Sequence, residues 1–246
     1  MNNKQLRSPK KAQVEFDEYC DNYSHQINEA LAFSGQSHDF FTKVKADYLT
    51  EILSNKFASS DDEEIHALDV GCGHGLIHPY LMEKNNKLRL SGVDIASSVI
   101  DAARSANSNV SYQTYNGAIL PYADNTFHMA FAICVMHHVP PLQWHSFLLE
   151  MKRVVKLNGL VVIFEHNPLN PITLKVVKNC PLDKNAILIR SGLMKKLKQQ
   201  AGLMNLKRSF ILFTPFEVPI LQKMDHKLGW LPLGAQYYVL SEKHHK

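Results

Sequence analysis

Hydrophobic residues along the chain follow two rhythms. From residue 65 to residue 166, short apolar runs rich in β-branched and aromatic residues alternate with stretches in which apolar residues recur every three or four positions. The first rhythm fits buried strands, and the second fits helices that pack by one face. The pattern predicts strand 65–70, helix 76–86, strand 88–94, helix 97–106, strand 110–115, strand 127–134, helix 141–153 and strand 159–166. The last strand has its core from Leu160 to Phe164, after an Asn158-Gly159 turn. A helix at about 191–201 ending at Gly202, a strand at 206–213 and a last strand from Gly234 to Leu240 complete the series. Strands separated by helices imply a doubly wound, mainly parallel seven-stranded α/β sheet with helices on both faces. Trp144, Leu148, Met151 and Val155 keep helical spacing and belong to its core.

The flanks modify this plan. Residues 1–11 are polar and basic, as in a disordered tail. Phe16, Tyr19, Tyr23, Ile27 and Ala30 mark one face of a helix closed by Ser34-Gly35. Phe41, Val44, Tyr48 and Ile52, with Leu49 and Leu53 beside them, mark a second helix. Residues 12–58 are thus expected to form an N-terminal helical cap, with Tyr19 and Tyr23 placed to act as a lid. Ser59 to Glu64 is a polar break before the first strand. Asn167-Pro168-Leu169-Asn170-Pro171 opens an insertion over 167–190 that is longer than compact α/β connections need, and binding loops are drawn from such segments. Pro215, Pro219 and Pro232 confine residues 214–233 to irregular structure with room for one short helix. The expected organisation is one domain over 12–246, with 65–166 as its ligand-binding core and 191–246 completing the sheet.

Candidate chemistry centres on Asp69-Val70-Gly71-Cys72-Gly73-His74-Gly75, where the first strand ends. Glycines there allow positive φ and close approach of a ligand, and the N–H groups of the following helix favour an anionic group. Dinucleotide enzymes use G-x-G-x-x-G at the same place. Here the spacing is G-x-G-x-G, with Leu76 where the third dinucleotide glycine would stand. Asp69 lies where it can meet an amine, and Asp94 ends the second strand where it can accept from ribose hydroxyls. A ligand with an amino acid at one end and a nucleoside at the other satisfies both acids.

These features resemble the class I S-adenosylmethionine-dependent methyltransferases of the small-molecule type. Asp69, Gly71, Gly73 and Gly75 match the first motif of that family, and Gly92-Val93-Asp94-Ile95 matches the second. Asn116-Gly117-Ala118-Ile119-Leu120-Pro121-Tyr122 resembles its D-A-x-x-L-P-F segment, and Phe127 to Val139 resembles its F-D-x-V…L-H-H-V strand. The resemblance implies S-adenosylmethionine as cofactor, S-adenosylhomocysteine as product, and a small-molecule methyl acceptor. It also implies roles: the glycine turn (Gly71, Cys72, Gly73, Gly75) for the methionine carboxylate, Asp69 for the ammonium, Asp94 for the ribose, and Ile95 for the adenine face. Asn116, with Gly117 and Ala118, would serve the adenine amino group, and Cys134 would line the cofactor at the end of the fourth strand. Two positions depart from the pattern. Asn116 stands where the family has an acid, and His128 stands where it has Asp.

His137 and His138 end the fourth strand, and Glu165 and His166 end the fifth. Open α/β sheets bind ligands at that edge, so these four are the candidate acid/base residues for removing a proton from the acceptor. His74 and His78 have i, i+4 spacing, but without an H-E-x-x-H motif and with Pro79 following they give no reason to expect a metal. Val135 to Pro141 lacks the [N/D]-P-P-aromatic motif of enzymes that methylate exocyclic base nitrogens, so nucleic acid is not an expected partner.

Composition changes little. The 246 residues are 45% hydrophobic and 20% charged, with a formal net charge of +4, which is too mild to argue for a polyanion. Lys195, Lys196, Lys198, Lys207 and Arg208 make a basic patch of the kind usually found on a solvated face. Four scattered cysteines without C-x-x-C read as reduced thiols of a cytoplasmic protein. No signal-peptide core is visible at the amino terminus, and no apolar run approaches the ~20 residues of a membrane span. The leading expectation is in-line methyl transfer to a small acceptor such as a glycan, lipid or secondary-metabolite precursor. The alternatives are a catalytically inactive cofactor-binding regulator, prompted by Asn116 and His128, and a nucleotide-dependent oxidoreductase. Nothing in the sequence indicates an oligomeric state.

Overall fold

The computed structural model describes residues 36–58, 64–214 and 225–244. The expected tail, the first cap helix with Tyr19 and Tyr23, and most of residues 214–224 lie outside the described residues. The remaining cap helix is α1 (His38–Phe57), and the chain continues as β1 (Ile65–Val70), α2 (His78–Lys84), β2 (Leu88–Asp94), α3 (Ser97–Ala106), β3 (Ser111–Thr114) and β4 (Phe127–Ile133). Then come α4 (Trp144–Val154), β5 (Val155–His166), α5 (Pro171–Asn179), α6 (Ser191–Gln200), β6 (Leu203–Ile211) and β7 (Gln236–Lys243).

The seven strands pair in the order β3-β2-β1-β4-β5-β7-β6. The first five are parallel, and β7 runs antiparallel to both β5 and β6. Parallel strands are buried on both faces, and β4 shows how one sequence serves two layers. Met129 and Phe131 pack with Tyr48, Leu49, Leu81 and Ile100 on one side. Ala130 and Ala132 pack with Trp144, Leu148, Met151 and Tyr237 on the other. Adjacent strand residues point to opposite faces, so both sets have to be apolar. Strand order reverses direction at β1, which has β2 on one side and β4 on the other. A crevice forms at such a switch point, outside the carboxyl ends of the strands.

Three expectations need correction. Strand five begins at Val155, not at residue 159. Asn158 takes a positive φ of 59°, and the pairing register with β4 shifts between Phe127 and Met129, so the Asn158-Gly159 turn is a bulge inside one strand. The second helix begins at His78 rather than Leu76, with Pro79 in its first turn. Lys198 is not on a solvated face. It is fully buried, and its Nζ donates to the Val161 and Val239 carbonyls at 2.8 and 2.6 Å.

Candidate active site

β1 delivers its backbone into a turn with three left-handed glycines, at φ 77° for Gly71, 52° for Gly73 and 65° for Gly75. A Cβ on Gly71 would lie 2.6 Å from Val135 Cγ2, so any side chain there collides with the segment after β4. At Gly73 an added Cβ would meet nothing within 4 Å among the described residues, so the turn presents bare backbone there. That suits close approach of a ligand.

Most donors of this turn are already engaged. Gly71 N and Cys72 N donate to the Val93 carbonyl at 2.7 and 3.0 Å, Gly75 N donates to Cys72 O at 3.0 Å, and Gly73 N donates to Asp94 Oδ2 at 3.0 Å. Asp94 Oδ1 also accepts from Ala96 N, at 3.1 Å. Asp94 is therefore the brace that fixes the turn to β2. Carboxylate oxygens carry further lone pairs, so the brace leaves acceptor capacity at the strand end. Burial raises the Asp94 pKa against these bonds. Ile95 follows it, half-buried at the same edge.

Asp69 is buried at the base of the turn. Its Oδ2 lies 3.0 Å from His78 Nε2, and His78 Nδ1 lies 2.5 Å from the Tyr112 hydroxyl. His78 is thus occupied at both ring nitrogens and ties β1 to β3. Asp69 Oδ1 is buried and has no hydrogen-bond partner among the described residues. An orphaned carboxylate oxygen is costly without a donor, so an ammonium is the group it fits. Asn116 sits in the turn after β3, where its Oδ1 accepts from Ala118 N at 2.9 Å and Ile119 N at 3.0 Å, with Gly117 at φ 76° between them. Its oxygen holds the loop. His128, the other departure, bonds His66 N through Nδ1 at 2.9 Å, at the opposite end of β4 from this edge.

Across the crevice stand the ends of β4 and β5. A short 3-10 turn (Met136–His138) follows β4. His137 Nδ1 lies 2.5 Å from Glu165 Oε2, and its Nε2 lies 3.3 Å from Asp183 Oδ1. The His137 and Glu165 side chains are 1% and 0% exposed. Burial disfavours the imidazolium, but the two carboxylates outweigh it and the His137 pKa is pushed up to about 10. Both ring nitrogens of His137 thus face carboxylates, and the site is closed around the His137 and Glu165 side chains. His138 Nε2 lies 3.4 Å from the same Asp183 oxygen. His166 packs its ring 5.1 Å from that of His137, and burial and the His137 charge lower its pKa to about 4.

Two residues at this edge escaped the sequence reading. Lys45, on α1, is 6% exposed and has no hydrogen-bond or ion-pair partner among the described residues. Burial lowers its pKa, and its charge acts on Cys134 and His166. Lys45 occupies the step between Phe41 and Tyr48 in the apolar stripe of α1, which was a readable signal. Gln236 opens β7 opposite His166; its Nε2 donates to Cys134 Sγ at 3.5 Å, and its Oε1 is buried without a partner among the described residues. Cys134 itself has a positive φ of 56°, and burial pushes its thiol up to about 12, so it is a neutral wall. Burial also raises the Cys72 thiol well above its usual range.

The insertion is fastened to this edge. Asn167 Nδ2 donates to the Pro232 and Gly234 carbonyls at 3.1 and 2.8 Å, Asn170 Nδ2 to Leu233 O at 2.6 Å, and Thr173 Oγ1 to Ala235 O at 2.8 Å. Ile187 N donates to His137 O at 2.8 Å. The insertion is therefore tied both to the approach to β7 and to the turn after β4.

Comparison with known proteins agrees with this architecture. Residues 68–163 match the family described as "Methyltransferase domain". The chain is 32% identical over 108 residues to the probable methyltransferase LtbC of Aspergillus luteorubrus, covering 39% of this chain and 38% of that protein. It is 28% identical over 144 residues to the sterol 4-C-methyltransferase strm-1 of Caenorhabditis elegans, covering 54% and 42%. It thus spans about two-fifths of the length of these relatives. A solved Thermotoga maritima S-adenosylmethionine-dependent methyltransferase, described as a possible histamine N-methyltransferase, superposes with a TM-score of 0.66 at 17% identity over 94% of this chain and 99% of that one. Residues 68–163 thus carry a match to a methyltransferase domain, and the parallel sheet with its antiparallel seventh strand is a fold shared with a solved S-adenosylmethionine-dependent methyltransferase.

Proposed function

We propose that the protein transfers a methyl group from S-adenosylmethionine to a small-molecule acceptor. The observation that carries this reading is the pairing of an orphaned, buried Asp69 Oδ1 with bare backbone at Gly73 and a braced carboxylate at Asp94. Asp69 Oδ1 would accept from the ammonium of the methionine end. The ribose hydroxyls would donate to the remaining lone pairs of Asp94, with Ile95 against the adenine. Asn116 would present its amide rather than its oxygen to the base, since Oδ1 is spent on Ala118 and Ile119. Gly71, Cys72, Gly75, Gly117, Ala118 and Cys134 would shape the walls. The cofactor, when bound, supplies an electrophilic methyl on a good leaving group, so the protein's part is alignment and exclusion of water.

The acceptor would lie among α1, the ends of β4 and β5, and the insertion. His137 and Glu165 would hold that wall, while His138 and His166 remain nearer the opening. A neutral His166 can accept a proton, though a pKa of about 4 makes it a weak base. Lys45 is buried and unpaired among the described residues, and it favours an acceptor bearing an acidic or ionised oxygen. Its positive charge would lower the pKa of that oxygen and so supply the nucleophile without a strong base. Turnover of a labelled methyl donor with small-molecule extract tests the reading. Label entering an extract component with the parent chain, and not with Lys45→Met, is the expected result. Tight cofactor binding without transfer to any fraction would instead favour the regulatory alternative.

A further inference from the structure

Two segments bring three ligating atoms to one point. The 3-10 turn Met136–His138 carries both imidazoles, and a second, Pro181–Asp183, brings in a carboxylate from the insertion. Asp183 Oδ1 lies 3.3 Å from His137 Nε2 and 3.4 Å from His138 Nε2, and the three ligand atoms lie within 4.8 Å of one another. A charge-assisted hydrogen bond between such groups is typically about 2.7–2.9 Å. Two ligands of a tetrahedral ion at about 2.0–2.1 Å each are about 3.3–3.4 Å apart. The observed spacing matches the second case for both histidines.

The far side of His137 strengthens the match. Its Nδ1 is 2.5 Å from Glu165 Oε2. A carboxylate behind a ligating histidine fixes the ring and directs the other nitrogen toward the metal. Charge also closes, because a dication between the Asp183 and Glu165 carboxylates sums to zero. The His138 and Asp183 side chains are 14% and 11% exposed, so one side of the cluster opens toward solvent.

We propose that His137, His138 and Asp183 form a binding site for a divalent transition metal of the zinc type, with Glu165 as the positioning residue behind His137. Three protein ligands leave a fourth position for water or an acceptor oxygen. The ion would also tie the insertion to the end of β4. This inference is independent of the methyl-transfer reading.

The test uses the untagged full chain, stripped with chelator and dialysed. Cobalt(II) chloride is titrated in while visible absorption is followed, and zinc chloride is titrated by calorimetry. One equivalent of each should bind, with the intense visible bands of four-coordinate cobalt, and zinc should displace cobalt. Asp183→Asn and His138→Ala should each weaken uptake at least about tenfold, and Glu165→Gln should weaken it about 10- to 100-fold. His145→Ala, at an exposed histidine elsewhere, should change nothing. Far-UV circular dichroism checks that each variant is folded, and if Asp183→Asn is not, His138→Ala at the open rim decides. Absence of stoichiometric uptake by the parent chain, or uptake by His138→Ala equal to the parent, overturns the site and leaves a hydrogen-bonded clamp. S-adenosylhomocysteine binding is measured on the same stripped chain, so failure of the cofactor reading registers separately.

Discussion

Four residues have roles that their neighbours determine. Asp94 accepts from Gly73 N and Ala96 N and faces the crevice. Asp94→Asn keeps the shape and removes the charge. Hydrogen bonds to a charged group contribute roughly 1.5–3 kcal/mol, so S-adenosylhomocysteine affinity should fall at least about tenfold in calorimetry. Asn116 makes a complementary case. Asn116→Asp retains both loop bonds to Ala118 and Ile119 and should bind the cofactor product about as well, whereas Asn116→Leu frees the loop and should bind less well. Lys45 is buried with no partner among the described residues to offset its desolvation. Lys45→Met should therefore raise stability to denaturant by about 1 kcal/mol or more while turnover falls. Loss of stability instead would show that the ammonium has a partner. His38, on the same helix, has its pKa lowered to about 4, first by burial and then by the Lys45 charge, while Asp39 pulls the other way and His74 adds to the lowering. A folded pKa below the ordinary 6.5 means the unfolded chain binds the proton first. Its contribution is intact above about pH 6.5, falls as pH drops from there toward 4, and levels off below. The stability difference between the parent and His38→Gln, measured from pH 7 to pH 4, should follow that course.

At the scale of elements, the two runs that end β5 and begin β7 form one unit. Asn167, Asn170 and Thr173 bond the backbone of residues 232–235, and Tyr237 Oη donates to Ile189 O at 2.6 Å. Asn167→Ala removes two of these donors and leaves buried carbonyls unpaired, which costs about 1–3 kcal/mol. A lower melting temperature with cofactor binding kept within a few fold is the expected outcome. The strands at the core were legible because burial on two faces demands apolar runs, and β1 and β2 match their expected limits. The bulge in β5 was not legible, because Asn158-Gly159 carries the signal of a turn whether or not the ladder resumes beyond it. Lys198 was misread for a related reason: a lysine on a helix counts as exposed until two backbone carbonyls are found above it.

For the whole molecule, the glycine turn and the strand-end acids could be read from spacing, since they lie close in sequence to the strands that place them. The opposite wall was legible only in part: Cys134 and His166 follow from the ends of β4 and β5, whereas Gln236 joins them only because the order β4-β5-β7 sets those strands side by side, and Lys45 comes from α1. His137 and Asp183 likewise meet across 46 residues of chain. The central claim is that the switch-point crevice holds an amino acid and a nucleoside joined in one ligand. Calorimetric titration of the full chain with S-adenosylhomocysteine, and in parallel with NAD, tests it most directly. Saturable binding of one equivalent of S-adenosylhomocysteine with no heat from NAD beyond dilution is the predicted result; saturable binding of NAD with none of S-adenosylhomocysteine would contradict it.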